Sequence, residues 1–146
     1  MKETDLLEPN SFYSATKSSA TLIASTYGKL NHKPIVTLRL FSVYGPYEEP
    51  GRLIPTVCLR ALSNQQIDVV PGKPTRDFVY IDDVVEAYFK CLKLKKFDQK
   101  VFNICSTKQT DIPSIAKLIK KLAKSSSVIV QGTYSPRPWD TQFWVG

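Results

Sequence analysis

The alternation of apolar and polar positions divides the chain into helices and short strands. A polar lead-in ends at Pro9, and Asn10 or Ser11 is placed to cap a helix over about 11–30. In that stretch Ala15, Leu22, Ile23, Thr26 and Tyr27 recur at helical spacing, until Gly28 to Pro34 break the pattern. Ile35 to Phe41 is short and rich in β-formers, which predicts a buried strand. Residues 42–52, with two prolines and two glycines, predict a loop. A helix follows from about Leu53 to Ser63, with Pro55 in its first turn, where a missing N–H costs least.

Ile67 to Val70 reads as a short strand, 71–75 as a turn, and Arg76 to Ile81 as an extended segment. Asp82 or Asp83 is placed to cap a helix running to about Leu94, with Val84, Val85, Ala87, Tyr88 and Cys91 on its apolar side. Val101 to Ile104 predicts another strand. Thr110 or Asp111 opens a helix whose Ile115, Leu118, Ile119 and Leu122 form one stripe while four lysines face away, and Val128 to Val130 predicts a last strand. Strands alternating with helices predict an α/β arrangement, and there is no internal repeat.

At 146 residues, 42% hydrophobic and 23% charged, the chain is one domain's worth and able to bury a core. Cys58, Cys91 and Cys105 lie far apart, with no C-x-x-C pair, so neither a metal site nor a disulfide framework is expected. Free thiols suit a reducing cytoplasm. The first five residues are polar, unlike a signal peptide, and no apolar run approaches a membrane span, so a soluble cytoplasmic protein is expected, without a membrane partner. The net charge of +7 invites a nucleic-acid reading. Its lysines, at 90–100 and 117–124, have few aromatics between them for base stacking, and they read as solvated helix faces; no nucleic-acid partner is expected. Neither G-x-G-x-x-G nor G-x-x-x-x-G-K occurs.

In the first helix Tyr13 and Lys17 are four residues apart, hence one turn apart on one face. A phenol, with an unperturbed pKa of about 10, is a poor base at neutral pH, and a neighbouring ammonium favours its ionised form. The bland reading of the pair is a half-buried tyrosine beside a solvated lysine.

Four patterns then occur in order: Tyr13-x-x-x-Lys17; Arg39-Leu40-Phe41-Ser42-Val43-Tyr44-Gly45-Pro46; Arg76-Asp77-Phe78-Val79-Tyr80-Ile81-Asp82-Asp83; and Asn103-Ile104 followed by Arg137-Pro138-x-Asp140. Together, from about Leu7 to the end, they resemble the extended short-chain dehydrogenase/reductases, specifically the NAD-dependent epimerase/dehydratase family acting on nucleotide sugars. The resemblance implies an incomplete Rossmann-type parallel sheet with a small mixed α/β substrate-binding domain. Residues 1–45 would end the Rossmann domain, 46–146 would form the substrate-binding region, and 101–104 would return to the main sheet.

Carried onto matching positions, the resemblance implies that Tyr13 is the catalytic acid/base and that Lys17 assists it and contacts the nicotinamide ribose of NAD or NADP. Phe41 would lie near the nicotinamide, or be only an apolar strand end. Tyr13 would take a sugar hydroxyl proton as hydride leaves, giving a keto sugar from which epimerisation, dehydration or reduction diverge. Ser42 stands where the family usually has a substrate-contacting asparagine. Arg52, Arg76, Asn103 and Arg137 match contacts to a nucleoside-diphosphate sugar; Arg76 has a local ion pair with Asp77 or Asp82 as its alternative, Asn103 a turn-forming role, and Arg137 capping or pairing by Asp140.

The family's glycine-rich loop, its ribose-reading residue and the Ser/Thr partner of the tyrosine precede the tyrosine by many residues, whereas 12 residues precede Tyr13 here. The chain therefore reads as the C-terminal part of such an enzyme, expected neither to bind NAD well nor to turn over a sugar nucleotide alone. It would need a separately encoded N-terminal half, or be a remnant. The alternative is a non-catalytic sugar-nucleotide-binding or regulatory module. A homodimer through the Tyr13 helix is usual in the family.

Overall fold

The computed structural model describes residues 1–94 and 100–132. In chain order the elements are α1 (Phe12–Leu30), β1 (Thr37–Leu40), β2 (Ser42–Tyr44), α2 (Leu53–Leu62), β3 (Ile67–Val69), β4 (Thr75–Tyr80), α3 (Ile81–Leu92), β5 (Val101–Ile104), β6 (Gln109–Asp111), α4 (Ile112–Leu122) and β7 (Ile129–Gln131).

Three pairings are parallel: β1 with β5, β2 with β4, and β3 with β7. The edge strand β6 runs antiparallel to β4, Asp77 opposite Gln109. Parallel pairs joined through helices are the building units of an α/β fold, and they carry the carboxyl ends of paired strands to a common side. The core lies where α2, β3 and α4 meet, formed by buried Val57, Ala61, Ile67, Val69, Ile112 and Ala116. It anchors the start of α2, where Arg52 is the N-cap residue.

Helix starts follow local chemistry. Ser11 and Ser14 form a reciprocal capping box, the N–H of Ser14 donating to Ser11 Oγ at 3.1 Å and the N–H of Ser11 to Ser14 Oγ at 2.9 Å. Asp111 caps α4, and the Ser114 hydroxyl, then its N–H, hold the carboxyl below its ordinary value. α3 differs from expectation: its N-cap is Tyr80, with no side-chain cap, and Asp82 and Asp83 lie inside the first turn. There they face the positive end of the helix dipole.

Two strands replace expected loop. Ser42–Tyr44 pairs with Phe78–Tyr80, and Gln109–Asp111 pairs with Thr75–Asp77, so both exist because β4 lies between them. α1 is oriented differently from its apolar pattern. Gly28 is buried, and Ser14, Ala15, Ser18, Thr21, Ala24 and Ser25 are half-buried, while Leu22, Ile23, Thr26 and Tyr27 are exposed. Small side chains let the helix approach β1, against which it packs. In α4 the buried positions are Ile112, Pro113 and Ala116; Leu118 and Leu122 of the expected stripe are exposed. Among the described residues no helix is long and apolar enough to cross a membrane.

Candidate functional site

Tyr13 is in the first turn of α1, inside the Ser11–Ser14 capping box, so its position is tied to the helix start. Lys17 follows one turn later, and its Nζ stands 5.6 Å from the centroid of the Tyr13 ring. That is within reach of a cation–π contact. The Tyr13 side chain is 72% exposed, and none of the hydrogen bonds among the described residues uses its hydroxyl. The phenol is therefore open to a ligand.

The strand against which α1 packs ends at Leu40, and Phe41 and Ser42 carry the chain across from β1 to β2. The N–H of Phe41 donates to the Ile104 carbonyl at 3.0 Å, and Ser42 is in register with Phe78. Phe41 and Ser42, both half-buried, thus lie where the carboxyl end of the β1–β5 pair meets β4.

Arg76 is on β4, opposite Thr110, and its Nη1 donates to the Thr75 carbonyl at 2.8 Å. Its neighbour Asp77 is fully buried and accepts two hydrogen bonds from Ser106, from the N–H at 2.6 Å and from Oγ at 2.7 Å. Both bonds converge on Oδ1, and donors of this kind help a buried carboxylate to be tolerated. Asp77 thereby ties the chain after β5 to the strand bearing Arg76. Asn103 is paired with Arg39 across β1 and β5; its side-chain amide donates to the Met1 carbonyl at 3.1 Å, and its N–H to Glu3 Oε1 at 2.9 Å.

Arg52 opens α2 beside a second feature, a cavity of about 370 Å3 at the carboxyl ends of β2 and β4, lined by Val43, Tyr44, Tyr47, Glu48, Arg52 and Ile81 among others. Arg52 Nε is 3.7 Å from Glu48 Oε1, while the arginine side chain remains 67% exposed. Burial pushes the Glu48 carboxyl above its ordinary value, and the Arg52 charge opposes that shift. Burial, and then the Glu48 charge, also push the Cys58 thiol up, which keeps it protonated and unreactive at neutral pH.

The structure thus brings Phe41 and Ser42 beside β4, the strand that bears Arg76, sets Arg52 on the adjoining groove, and packs the helix that carries Tyr13 and Lys17 against β1. Arg137, the remaining expected contact, lies outside the described residues. The sequence reading missed Glu3 as the holder of Asn103 and Asp77 as the holder of Ser106. For Asp77 a signal existed, since an acid between arginine and phenylalanine in a β-rich run must be either an edge residue or filled by donors.

A model of the NAD dependent epimerase/dehydratase family matches residues 1–105. The chain is 36% identical over 121 residues to a trifunctional UDP-glucose 4,6-dehydratase/UDP-4-keto-6-deoxy-D-glucose 3,5-epimerase/UDP-4-keto-L-rhamnose-reductase of Arabidopsis thaliana, a match covering 82% of this chain and 18% of the relative. It is 36% identical over 104 residues to the CDP-abequose synthase of Salmonella muenchen, covering 70% of this chain and 35% of that one. Among solved structures it is similar to the UDP-glucuronic acid 4-epimerase of Bacillus cereus in complex with UDP-glucuronic acid and NAD, with a TM-score of 0.83 and 32% identity, covering 93% of this chain and 44% of that chain. The chain thus spans less than half the length of each of these proteins.

Proposed function

We propose that this chain, which belongs to the NAD-dependent epimerase/dehydratase family, supplies the proton-handling and substrate-binding side of an enzyme that oxidises a nucleotide-sugar hydroxyl to a keto intermediate. The observation that carries the reading is the exposed Tyr13 phenol with the Lys17 ammonium 5.6 Å from its ring, on the helix packed against β1. The UDP-sugar and NAD held by the Bacillus cereus enzyme support it.

The residues present fit the nicotinamide end of such a cofactor. An open phenol and an ammonium on one helix face offer hydrogen-bond donors to a ribose, and Phe41 offers an apolar neighbour at the end of β1. NAD or NADP, when bound, supplies the acceptor for the hydride. In its ionised form Tyr13 Oη would take the proton of the sugar hydroxyl as the carbon–hydrogen bond is broken, becoming the phenol that returns the proton in the reverse sense. Lys17 sets a positive charge beside the ring while that proton moves. Arg52 and Arg76 offer paired donors to diphosphate oxygens, with Ser42, Asn103 and Arg137 as further substrate contacts.

In this proposal residues 1–45 and 101–104 belong to the cofactor-side sheet and 46–146 to the substrate side. The 146 residues contain no glycine-rich dinucleotide loop, so this polypeptide by itself binds NAD weakly and does not turn over. A tight NADH fluorescence titration of the purified chain would overturn that statement. A homodimer through α1 fits Phe12, Ile23 and Leu30, which are exposed along one outward line of the helix. The three free thiols suit the cytoplasm.

A second reading, a sugar-nucleotide-binding module without catalysis, is favoured by the Arg52 groove, which this chain forms on its own. Complementing the chain with the cofactor-binding segment of a relative separates the two. Tyr13→Phe should lower sugar-dependent NAD reduction by about 10²-fold or more with sugar-nucleotide affinity kept; no reduction by the wild-type complex, with affinity intact, would favour the module.

A further inference from the structure

We propose that the groove between α4 and the free edge of β7 docks an extended acidic segment of another polypeptide. That segment joins the sheet as a strand beside β7 and sets its carboxylates against the lysines of α4. β7 pairs in parallel with β3, and the two form a two-stranded sheet. The N–H of Ile67 donates to the Val128 carbonyl at 2.8 Å and the N–H of Gly132 to the Val69 carbonyl at 3.1 Å, so the even-numbered positions turn their polar groups to β3. Bonding direction alternates along a strand, which turns the N–H and C=O of Ile129 and Gln131 to the opposite edge. Among the described residues no strand lies there. An open edge of this kind is a template for pairing with a further chain.

The neighbouring helix decides the charge of that chain. Lys117, Lys120, Lys121 and Lys124 follow at helical spacing along one flank of α4 and its C-terminal turn, and with Ser125 and Ile129 they line a groove of about 360 Å3. Among the described residues no acid is ion-paired with any of the four, and the sequence has no acid between Asp111 and Asp140. The flank is therefore an uncompensated positive strip. Four residues of helix rise about 6 Å, and side chains on one face of a strand repeat about every 6.7 Å. Alternate carboxylates of an extended peptide thus keep step with the ammonium groups. The groove is also held in shape: the N–H of Ser126 donates to Asn64 Oδ1 at 2.8 Å, and buried Ser127 donates from Oγ to the Arg60 carbonyl at 3.3 Å. These bonds fix the link from α4 to β7.

Charge complementarity selects among occupants. Residues 133–146 hold one acid, Asp140, offset by Arg137, so their charge does not answer four lysines. A second copy of a chain with net charge +7 is repelled. Nucleic acid has the right sign, but no aromatic side chain lines the groove for base stacking, and a phosphate backbone has no peptide groups to pair with β7. An acidic peptide uses both the lysines and the strand edge.

Fluorescence anisotropy on the purified chain tests this with a labelled peptide of alternating glutamate and valine. Wild type should bind it, and Lys117→Gln combined with Lys121→Gln should weaken binding by about tenfold at unchanged unfolding temperature. Two versions of the peptide, N-methylated at the glutamates or at the valines, test the edge, because only one set of amides faces β7. One version should lose about tenfold and the other little. Gln131→Pro removes an outward N–H and no bond to β3, and should weaken the parent peptide by a similar factor. If both methylated versions bind wild type like the parent peptide, the strand pairing is wrong. If the peptide does not bind, or binds the lysine variant like wild type, the proposal fails. Tighter binding of a thymidine oligonucleotide than of the peptide, lost in the lysine variant, would overturn it in favour of a nucleic-acid surface.

Discussion

The backbone N–H of Asn103 donates to the Glu3 carboxylate at 2.9 Å across 100 positions of sequence. Around that bond the Asn103 amide donates to the Met1 carbonyl at 3.1 Å, and the Arg39 guanidinium reaches the Glu3 carbonyl at 3.5 Å. Since Arg39 and Asn103 are partners across β1 and β5, the lead-in is tied to both strands at one register position. The approach to α1, and so to Tyr13, starts from that tether.

Loss of the tether should loosen the start of α1 before anything else. In Glu3→Gln, amide hydrogen exchange should quicken over residues 1–16 and stay unchanged in α4; equal changes in both would mean a global effect. The Asn103 N–H, then Glu3's own N–H, with Arg39 adding to them, hold the Glu3 carboxyl below 4.5. Its contribution is therefore fully present above the unfolded value and is lost as the pH falls through the lower folded one. Protection of the lead-in should drop in that acid window in wild type and not in Glu3→Gln.

Asp77 has no exposed surface and accepts two hydrogen bonds from Ser106. Asp77→Ala should cost about 3 kcal/mol in urea unfolding, since it removes the acceptor of both Ser106 bonds and empties a fully buried position. Ser106→Ala removes only the Oγ donor and should cost about 1–2 kcal/mol. Equal costs for the two variants would contradict this account.

A side chain at Gly45 has no room. A Cβ there would overlap Ile81 Cγ2 and stand 3.0 Å from Ile81 Cβ. Gly45→Ala should destabilise by about 1–3 kcal/mol by forcing the start of α3 away. Coupling Gly45→Ala with Ile81→Ala should recover part of that loss in thermal unfolding, which a purely backbone effect would not.

Glu48 behaves oppositely to Glu3. Burial raises its pKa above 4.5, so the folded state holds its proton more tightly than the unfolded chain. The stability linked to this group is then highest below the unfolded value and falls as the pH rises through the folded one. Glu48→Gln should gain on wild type between those limits and keep a constant margin above them, read from unfolding midpoints between acid and neutral pH.

Burial, not hydrophobicity, should decide the cost of trimming apolar residues. Leu22 on the outer side of α1 is 59% exposed, and Leu22→Ser should change monomer stability by less than about 0.5 kcal/mol. Ile67 is fully buried in the core, and Ile67→Val should cost about 0.5–1.5 kcal/mol and Ile67→Ala about 2–5 kcal/mol. A large loss for Leu22→Ser that depends on protein concentration would instead reveal the α1 face as an interface between copies.

Much of the fold was legible because its signals are local. The serines before α1, Pro55 in α2 and the apolar run at 101–104 each act within one turn or one strand, and these elements form close to where the pattern places them. The strands at 42–44 and 109–111 were not legible. Three residues make a strand only when a neighbour supplies the ladder, and that neighbour, β4, is more than thirty positions away from the first of them.

The same division runs through the site. Helical spacing alone sets Lys17 one turn from Tyr13, and the amino-acid sequence determines that pair without help from the rest of the molecule. It also determines which side chains have the chemistry to meet a sugar diphosphate. Only the tertiary structure decided that small residues, not leucines, face inward from α1, that Asp77 is filled by Ser106, and that Glu3 holds Asn103. Spacing records which residues share a face, but which face is covered depends on what the chain folds against, and hydrogen bonds spanning 29 and 100 positions leave no periodic trace in the sequence.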